Sequence, residues 1–387
     1  MDIKTLFEPY RIPHTNVPFS NKQFGFHIQK HIAEFPQWKE ADILILGCSS
    51  QNTNPIPSEP FEEADAVREK LYRLSIPEEC MNVADLGNLK PQSSSLAYAE
   101  ALTAILQLLL LEKKTIILIG GTQQTAYAQY LAYEPLNKDV EMVHIDAKFD
   151  LENADNEFNP DTVSHKIFSH RPCYLFNYTN LGYQSYFVAE QDRRILRDLH
   201  FFALRYGELH NQIEEAEPFI RAANFVSFDL GAIRHSDCPG TNTRSPGGFS
   251  VMEACRMARY AGLANKVSSI SFCEMNLDFD INQQTPSLTS LMIWYFIHGY
   301  YGRRDISPES DRDRMVTYEV QINAGVEQLV FYQDPISNKW WMAVPYQEEG
   351  KIDTTQVFML PCAESDYLIA LEDEIPDKWW QTYYKLI

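Results

Sequence analysis

The chain has 387 residues, 45% apolar and 22% charged, enough to bury a large core. Its formal net charge of −20 repels polyanions and argues against nucleic acid and anionic membranes as partners. Seven cysteines, scattered and without a CxxC pair, read as reduced thiols of a cytoplasmic protein rather than as a disulfide frame or zinc site.

Residues 1–40 are polar and aromatic, with several prolines and no apolar leader, and predict an arm or a pair of short helices lying on the main body. Residues 42–47 are an apolar run ending in glycine, the pattern of a buried parallel strand, followed by a Ser/Asn/Pro-rich loop over 48–60 and a helix over 62–74. A weaker strand follows at 83–87, then a helix over 96–111 that the run Ser93-Ser94-Ser95 caps. This last segment holds the longest apolar stretch, which falls short of the roughly 20 residues of a membrane span. Strands are then expected at 115–121, 142–146, 173–178, 201–204, 225–229 and 270–274, with helices at 249–262 and 288–300. Such alternation predicts a mainly parallel sheet between helical layers, with functional groups in the loops beyond the carboxyl ends of the strands. After residue 305 the pattern changes to a charged linker at 311–314, a hairpin from 328–332 and 340–344 around the 335–339 turn, and an aromatic terminus. Its tryptophans read more readily as core than as surface.

Chemistry concentrates at four strand ends: Gly120-Gly121-Thr122-Gln123-Gln124, His144-Ile145-Asp146-Ala147-Lys148-Phe149-Asp150, Ser227-Phe228-Asp229-Leu230-Gly231 and Cys273-Glu274-Met275-Asn276. In the second, a period of two places Asp146, Lys148 and Asp150 on one side of an extended backbone. In order and spacing the four resemble the ureohydrolase superfamily of arginase, agmatinase and formimidoylglutamase, with its patterns GGDHS, DAHxD, SxDxD and E-x-N. Pro239-Gly240 and Ser245-Pro246-Gly247-Gly248-Phe249 support the register, and Asn177 to Gln184 looks nearest to formimidoylglutamase. The resemblance covers roughly residues 42–302 and implies a three-layer arginase-like α/β fold: an arm at 1–40, the α/β domain at 41–305 and a C-terminal β/aromatic extension at 306–387.

The resemblance also implies two Mn²⁺ ions bridged by a hydroxide that attacks a guanidinium or formimidoyl carbon, held by carboxylates and imidazoles. Carried over position by position, the first histidine is Gln123, the histidine of DAHxD is Lys148 and the second aspartate of SxDxD is Gly231, leaving Asp146, Asp150 and Asp229. One ion's set loses a single ligand, whereas the other loses both of its private ligands. An ammonium about 4 Å from a carboxylate is attracted by roughly 4 kcal/mol at an effective dielectric near 20, so Lys148 is expected among the three aspartates in place of the second metal. A buried base or Schiff-base amine is the alternative reading of Lys148. His165 lies at about the distance past Asp150 where arginases place a proton-shuttling histidine, and Glu274 matches the glutamate that holds the substrate guanidinium, with Arg205 as its partner if it is merely a buried acid.

The expectation is therefore a divergent, formimidoylglutamase-like protein without the binuclear centre or any resident cofactor, serving a binding or structural role. The alternative is a hydrolase of linear amidine C–N bonds using one divalent ion, Mn²⁺ or Mg²⁺, at Asp146, Asp150 and Asp229 with Gln123. The expected partner is a small amidine or amino-acid-like ligand, and assembly into a homo-oligomer stays open.

Overall fold

The computed structural model describes residues 2–11, 18–49, 61–136, 139–152, 158–322, 328–347 and 355–387. Most of the loop expected over residues 48–60 lies outside them. Within them, short apolar runs become the parallel strands β1 Ile43–Cys48, β2 Val83–Leu89, β3 Thr115–Gly120, β4 Val140–Ile145, β5 Leu175–Tyr183, β6 Phe202–Arg205, β7 Phe225–Asp229 and β8 Ser269–Cys273. They pair in the order β2-β1-β3-β8-β7-β4-β5-β6. Both faces are covered, so apolar residues do not alternate with polar ones. Ile43, Ile45, Ile117 and Ile119 enter one core, while Leu44, Leu46, Ile116 and Leu118 enter the other.

The helices α1 Glu62–Leu71, α2 Ser95–Leu111, α3 Gln124–Ala132, α4 Val163–Ser169, α5 Glu190–Asp198, α6 Glu217–Ala222, α7 Val251–Leu263 and α8 Gln284–Tyr301 fill the outer layers. α1, α7 and α8 pack on the first core, and α2, α3 and α4 on the second. Ser94 accepts a bond from the Ala97 N–H at 3.2 Å and starts α2 as the serine run predicts. The arm holds the two short helices expected of it, Ile3–Leu6 and Phe24–His27, and also adds two-residue strands to the sheet edge: Phe7–Glu8 antiparallel and Gln29–Lys30 parallel to β2. Pairings this short leave no periodicity in the sequence. Among the described residues no helix is long and apolar enough to cross a membrane, and all seven cysteines are free thiols.

The C-terminal hairpin forms as expected but belongs to a four-stranded antiparallel sheet, β9 Val316–Gln321, β10 Gln328–Gln333, β11 Trp340–Gln347 and β12 Thr355–Cys362, followed by α9 Glu364–Leu371 and α10 Asp377–Leu386. Three of its four tryptophans are core: Trp340, Trp341 and Trp379 are 4%, 6% and 2% exposed, while Trp380 is partly buried. Arg221 of α6 ties this sheet to the α/β body by donating to the Trp340 and Cys362 carbonyls and lying over the Trp341 ring.

From α10, the Lys385 ammonium reaches Asn177 Oδ1 on β5 at 2.6 Å among the rings of Phe176, Phe201 and Phe202. Burial lowers its pKa to about 7, against a weak upward pull from Glu141. A lysine whose folded pKa is depressed weakens the fold below that pKa, and stability rises with pH from about 7 towards the unfolded value. Lys385→Met is therefore expected to raise stability at pH 7 by about 1–3 kcal/mol, offset in part by the lost Asn177 bond, and to flatten the rise between pH 7 and 10. Urea denaturation at several pH values measures both.

Candidate functional site

The four strand ends singled out in the sequence belong to β3, β8, β7 and β4, which are consecutive neighbours in the middle of the sheet. Beneath them runs a buried polar row. Asn180 on β5, His144 on β4, Ser227 on β7 and Ser271 on β8 are paired in register, and none is exposed. Buried polar groups are costly unless bonded, and much of this row is: Ser271 Oγ donates to Ser227 Oγ at 3.2 Å, and Ser227 Oγ to Gln123 Oε1 at 3.0 Å.

Gln123 reaches the row because β3 ends in Gly120 and Gly121, at φ +81° and +79°, where a side chain on Gly120 would meet the Cys48 carbonyl at 2.9 Å. Its Oε1 also accepts from Cys273 Sγ at 2.6 Å, so the amide oxygen is already engaged, while its Nε2 is buried without a partner.

β4 ends at Ile145, one residue earlier than expected, and the chain then turns rather than continuing extended. Leu181 O accepts the Asp146 N–H, the Gln184 N–H bonds Ala147 O, and Asn180 Nδ2 bonds Lys148 O at 2.7 Å. Asp150 adopts φ +51°, and its carbonyl accepts the Ser164 N–H at the start of α4. This turn corrects the expectation of three side chains on one extended face. Asp146 and Asp150 point in, 2% and 8% exposed, whereas the Lys148 ammonium bonds Asp161 Oδ1 at 3.1 Å in a half-exposed pair. Lys148 is thus not drawn in among Asp146, Asp150 and Asp229; a partner at the rim satisfies it without the loss of hydration that entry would bring. Burial pulls its pKa down, but Asp161, then Asp150 and Asp146, outweigh this and raise it. It remains a cation.

The residue that does meet the aspartates is His144, two before Asp146 on the same strand face. Its Nε2 lies 3.5 Å from Asp146 Oδ2 and 3.8 Å from Asp150 Oδ2, and its Nδ1 lies 3.2 Å from Tyr178 Oη. Burial lowers its pKa, against the pull of Asp146, and favours the neutral imidazole. His144 Nε2, Asp146 Oδ2 and Asp150 Oδ2 are all buried with no hydrogen-bond partner. The other Asp146 oxygen accepts the Lys148 N–H at 3.0 Å.

Asp229 ends β7, and its Oδ1 accepts the Gly231 N–H at 2.6 Å. Burial and the charges of Asp146 and Glu274 raise its pKa well above the usual carboxylate range; burial, Asp146 and Asp229 do the same to Asp150. Glu274 sits at φ +65° and accepts the Gln123 N–H at 2.6 Å; burial, then Asp146 and Asp161, push its pKa to about 7 against that bond. Two non-glycine residues in the left-handed region at one site, Asp150 and Glu274, mark backbone held for the sake of its side chains. The proposed partner Arg205 instead pairs with Glu208 at 3.4 Å on the surface. His165 lies on α4, where its backbone N–H meets Asp150 O at 3.4 Å, and its ring is in ion-pair contact with none of these carboxylates.

Two positions that the resemblance would have as ligands of the second ion supply none. Lys148 is cationic and turned to Asp161, and Gly231 has no side chain; a Cβ there would lie 2.5 Å from Thr243 Oγ1 and 2.9 Å from Asp229 Oδ1. Gly231→Asp is accordingly expected to destabilise the protein by about 1–3 kcal/mol, and Thr243→Ala to recover part of this, as read by chemical denaturation. The unpartnered atoms of His144, Asp146 and Asp150 lie within 4.8 Å of one another, a spacing that could hold one ion.

The arginase-family profile matches residues 41–299. A formimidoylglutamase of Staphylococcus haemolyticus is 27% identical over 248 residues, covering 60% of this chain and 77% of its own length. The formimidoylglutamase structure of Bacillus subtilis superposes with a TM-score of 0.65 at 14% identity, covering 76% of this chain and 97% of that one. The Trypanosoma cruzi formiminoglutamase structure with two Mn²⁺ ions does so with a TM-score of 0.63 at 19% identity, covering 70% and 100%. At these identities the structures establish the common fold.

Proposed function

The chain belongs to the arginase family, and we propose that it is a formimidoylglutamase-like member that binds a small amidine or amino-acid-like ligand at the strand ends and has lost two-ion hydrolysis. One observation carries this reading: the two positions that would supply the second ion's own ligands supply none, Lys148 being a cation turned to Asp161 at the rim and Gly231 having Thr243 where a side chain would stand. The carboxylates that would face an amidinium remain. Glu274 is held over the site by the Gln123 N–H, with Asp146 and Asp229 beside it, so a planar cation finds acceptors that lack enough cationic partners of their own.

A second reading, a hydrolase of linear amidine C–N bonds using one divalent ion, is favoured by the three unpartnered atoms of His144, Asp146 and Asp150. Such an ion would polarise the amidine and lower the pKa of bound water. The residues around it would orient the ligand through Glu274 and keep the ion's charge balanced through Asp146 and Asp150.

Incubating the full chain with N-formimidoyl-L-glutamate, with and without Mn²⁺, separates the two. We expect calorimetric binding without release of formamide. Release that requires added metal establishes the second reading, and the absence of binding to any amidine or amino acid overturns both.

A further inference from the structure

We propose that His144 is a metal ligand, and that this chain has rebuilt a one-ion site by taking the imidazole from inside strand β4 instead of from the β3 end, where Gln123 stands. The family resemblance places no ligand at position 144, and the inference stands whether or not the site turns over a substrate.

Distance is the first argument. His144 Nε2 is 3.5 Å from Asp146 Oδ2 and 3.8 Å from Asp150 Oδ2, beyond the 2.7–3.2 Å or so of an N–H···O bond. Two donors each about 2.0–2.2 Å from a common cation, at roughly tetrahedral angles, lie about 3.3–3.6 Å apart. The imidazole nitrogen therefore stands too far from either carboxylate oxygen to bond it and at about the span of neighbouring ligands. All three lie within 4.8 Å of one another.

Burial is the second. His144 is 0%, Asp146 2% and Asp150 8% exposed, and each aims a partnerless atom into the same space. Orphaned buried polar atoms are rare in native proteins, and three facing one point indicate a missing partner that is itself charged. With two carboxylates and an imidazole around it, that partner is a cation.

The third is the far side of the ring. His144 Nδ1 meets Tyr178 Oη at 3.2 Å, and Tyr178 Oη is in turn met by Ser164 Oγ at 3.4 Å. A metal-bound histidine is commonly oriented by such a bond at its other nitrogen. With Nδ1–H given to Tyr178, the Nε2 lone pair faces the two carboxylates. Gln123 does not compete as a ligand, because its Oε1 already accepts from Ser227 and Cys273. One imidazole with two carboxylates suits Mn²⁺ or Zn²⁺ better than a softer ion.

The test uses the full chain, stripped with chelator and titrated with Mn²⁺ alone and with Zn²⁺ alone. One equivalent is expected to bind, and pulsed EPR of the Mn²⁺ form is expected to show one directly bound ¹⁴N. His144→Asn should weaken binding at least tenfold and abolish the ¹⁴N coupling. Tyr178→Phe should keep the coupling and weaken binding by about 10–100-fold. Stoichiometric Mn²⁺ without ¹⁴N coupling in the unmodified protein overturns the assignment of His144 even if the variants fail to fold. Failure of both ions to bind at millimolar concentration overturns the site itself.

Discussion

Chelator-treated protein is expected to lose stability as the pH rises from 5 to 8, and Mn²⁺ to restore it at pH 8. Asp150, Asp229 and Glu274 all titrate above the ordinary carboxylate range, because burial and mutual repulsion penalise their charged forms. A carboxylate whose folded pKa is raised supports the fold fully below its unfolded pKa, and that support is lost as the pH rises through the folded value. For Glu274, which moves from 4.5 to about 7, the loss approaches about 3 kcal/mol by pH 8. Asp150 and Asp229 add to it in the same direction. A dication removes the reason for the shift, and at a hundred times its Kd it contributes about 2.7 kcal/mol. Asp150→Asn should leave the metal-free protein more stable at pH 8, with a shallower slope, and should abolish the response to Mn²⁺. Thermal unfolding over this range, with and without metal, reads all of these; a metal-free stability that is flat between pH 5 and 8 would show that the carboxylates do not repel one another.

Arg68→Met is expected to cost about 3–5 kcal/mol, although its partners are not the carboxylates of the site. Arg68 on α1 is fully buried, with Nε 2.8 Å and Nη2 3.1 Å from the two oxygens of Asp85 on β2. Its Nη1 donates to Asp65 and Asn88, and its Nη2 also to the Gly87 carbonyl. Asp85 further accepts from the Tyr72 hydroxyl and the Gly87 N–H. The substitution removes the cation and leaves a fully buried carboxylate with only neutral donors, which is why it costs more than the pair gains over an apolar replacement. Replacing both, Arg68→Met with Asp85→Leu, should therefore destabilise less than Arg68→Met alone. Denaturant unfolding of the two variants makes the comparison, and a single-variant cost under 1 kcal/mol would contradict it.

The sheet was legible because its strands are buried on both faces and read as uninterrupted apolar runs, as in Thr115–Gly120. β9 and β12 were not, since Val316–Gln321 mixes polar and apolar residues on a sheet with an exposed face. At the site, the convergence of Gln123, Asp146, Asp150, Asp229 and Glu274 followed from motif order, because neighbouring strands must end side by side. The behaviour of Lys148 did not follow, because the period of two holds only while the chain is extended, and β4 stops at Ile145. Its partner Asp161 lies in a separate loop that no spacing connects to it. His144 was overlooked for the opposite reason: a histidine within a buried strand reads as core, yet the same period of two puts it on the face of Asp146. Thr243, which closes the space beside Gly231, carried no motif at all.

Whether this family member has room for one cation and not two is read from anomalous scattering at the manganese edge in crystals of the full chain soaked in Mn²⁺. A single peak is expected among His144 Nε2, Asp146 Oδ2 and Asp150 Oδ2. Two peaks of equal height, the second beside Lys148 and Gly231, would contradict it.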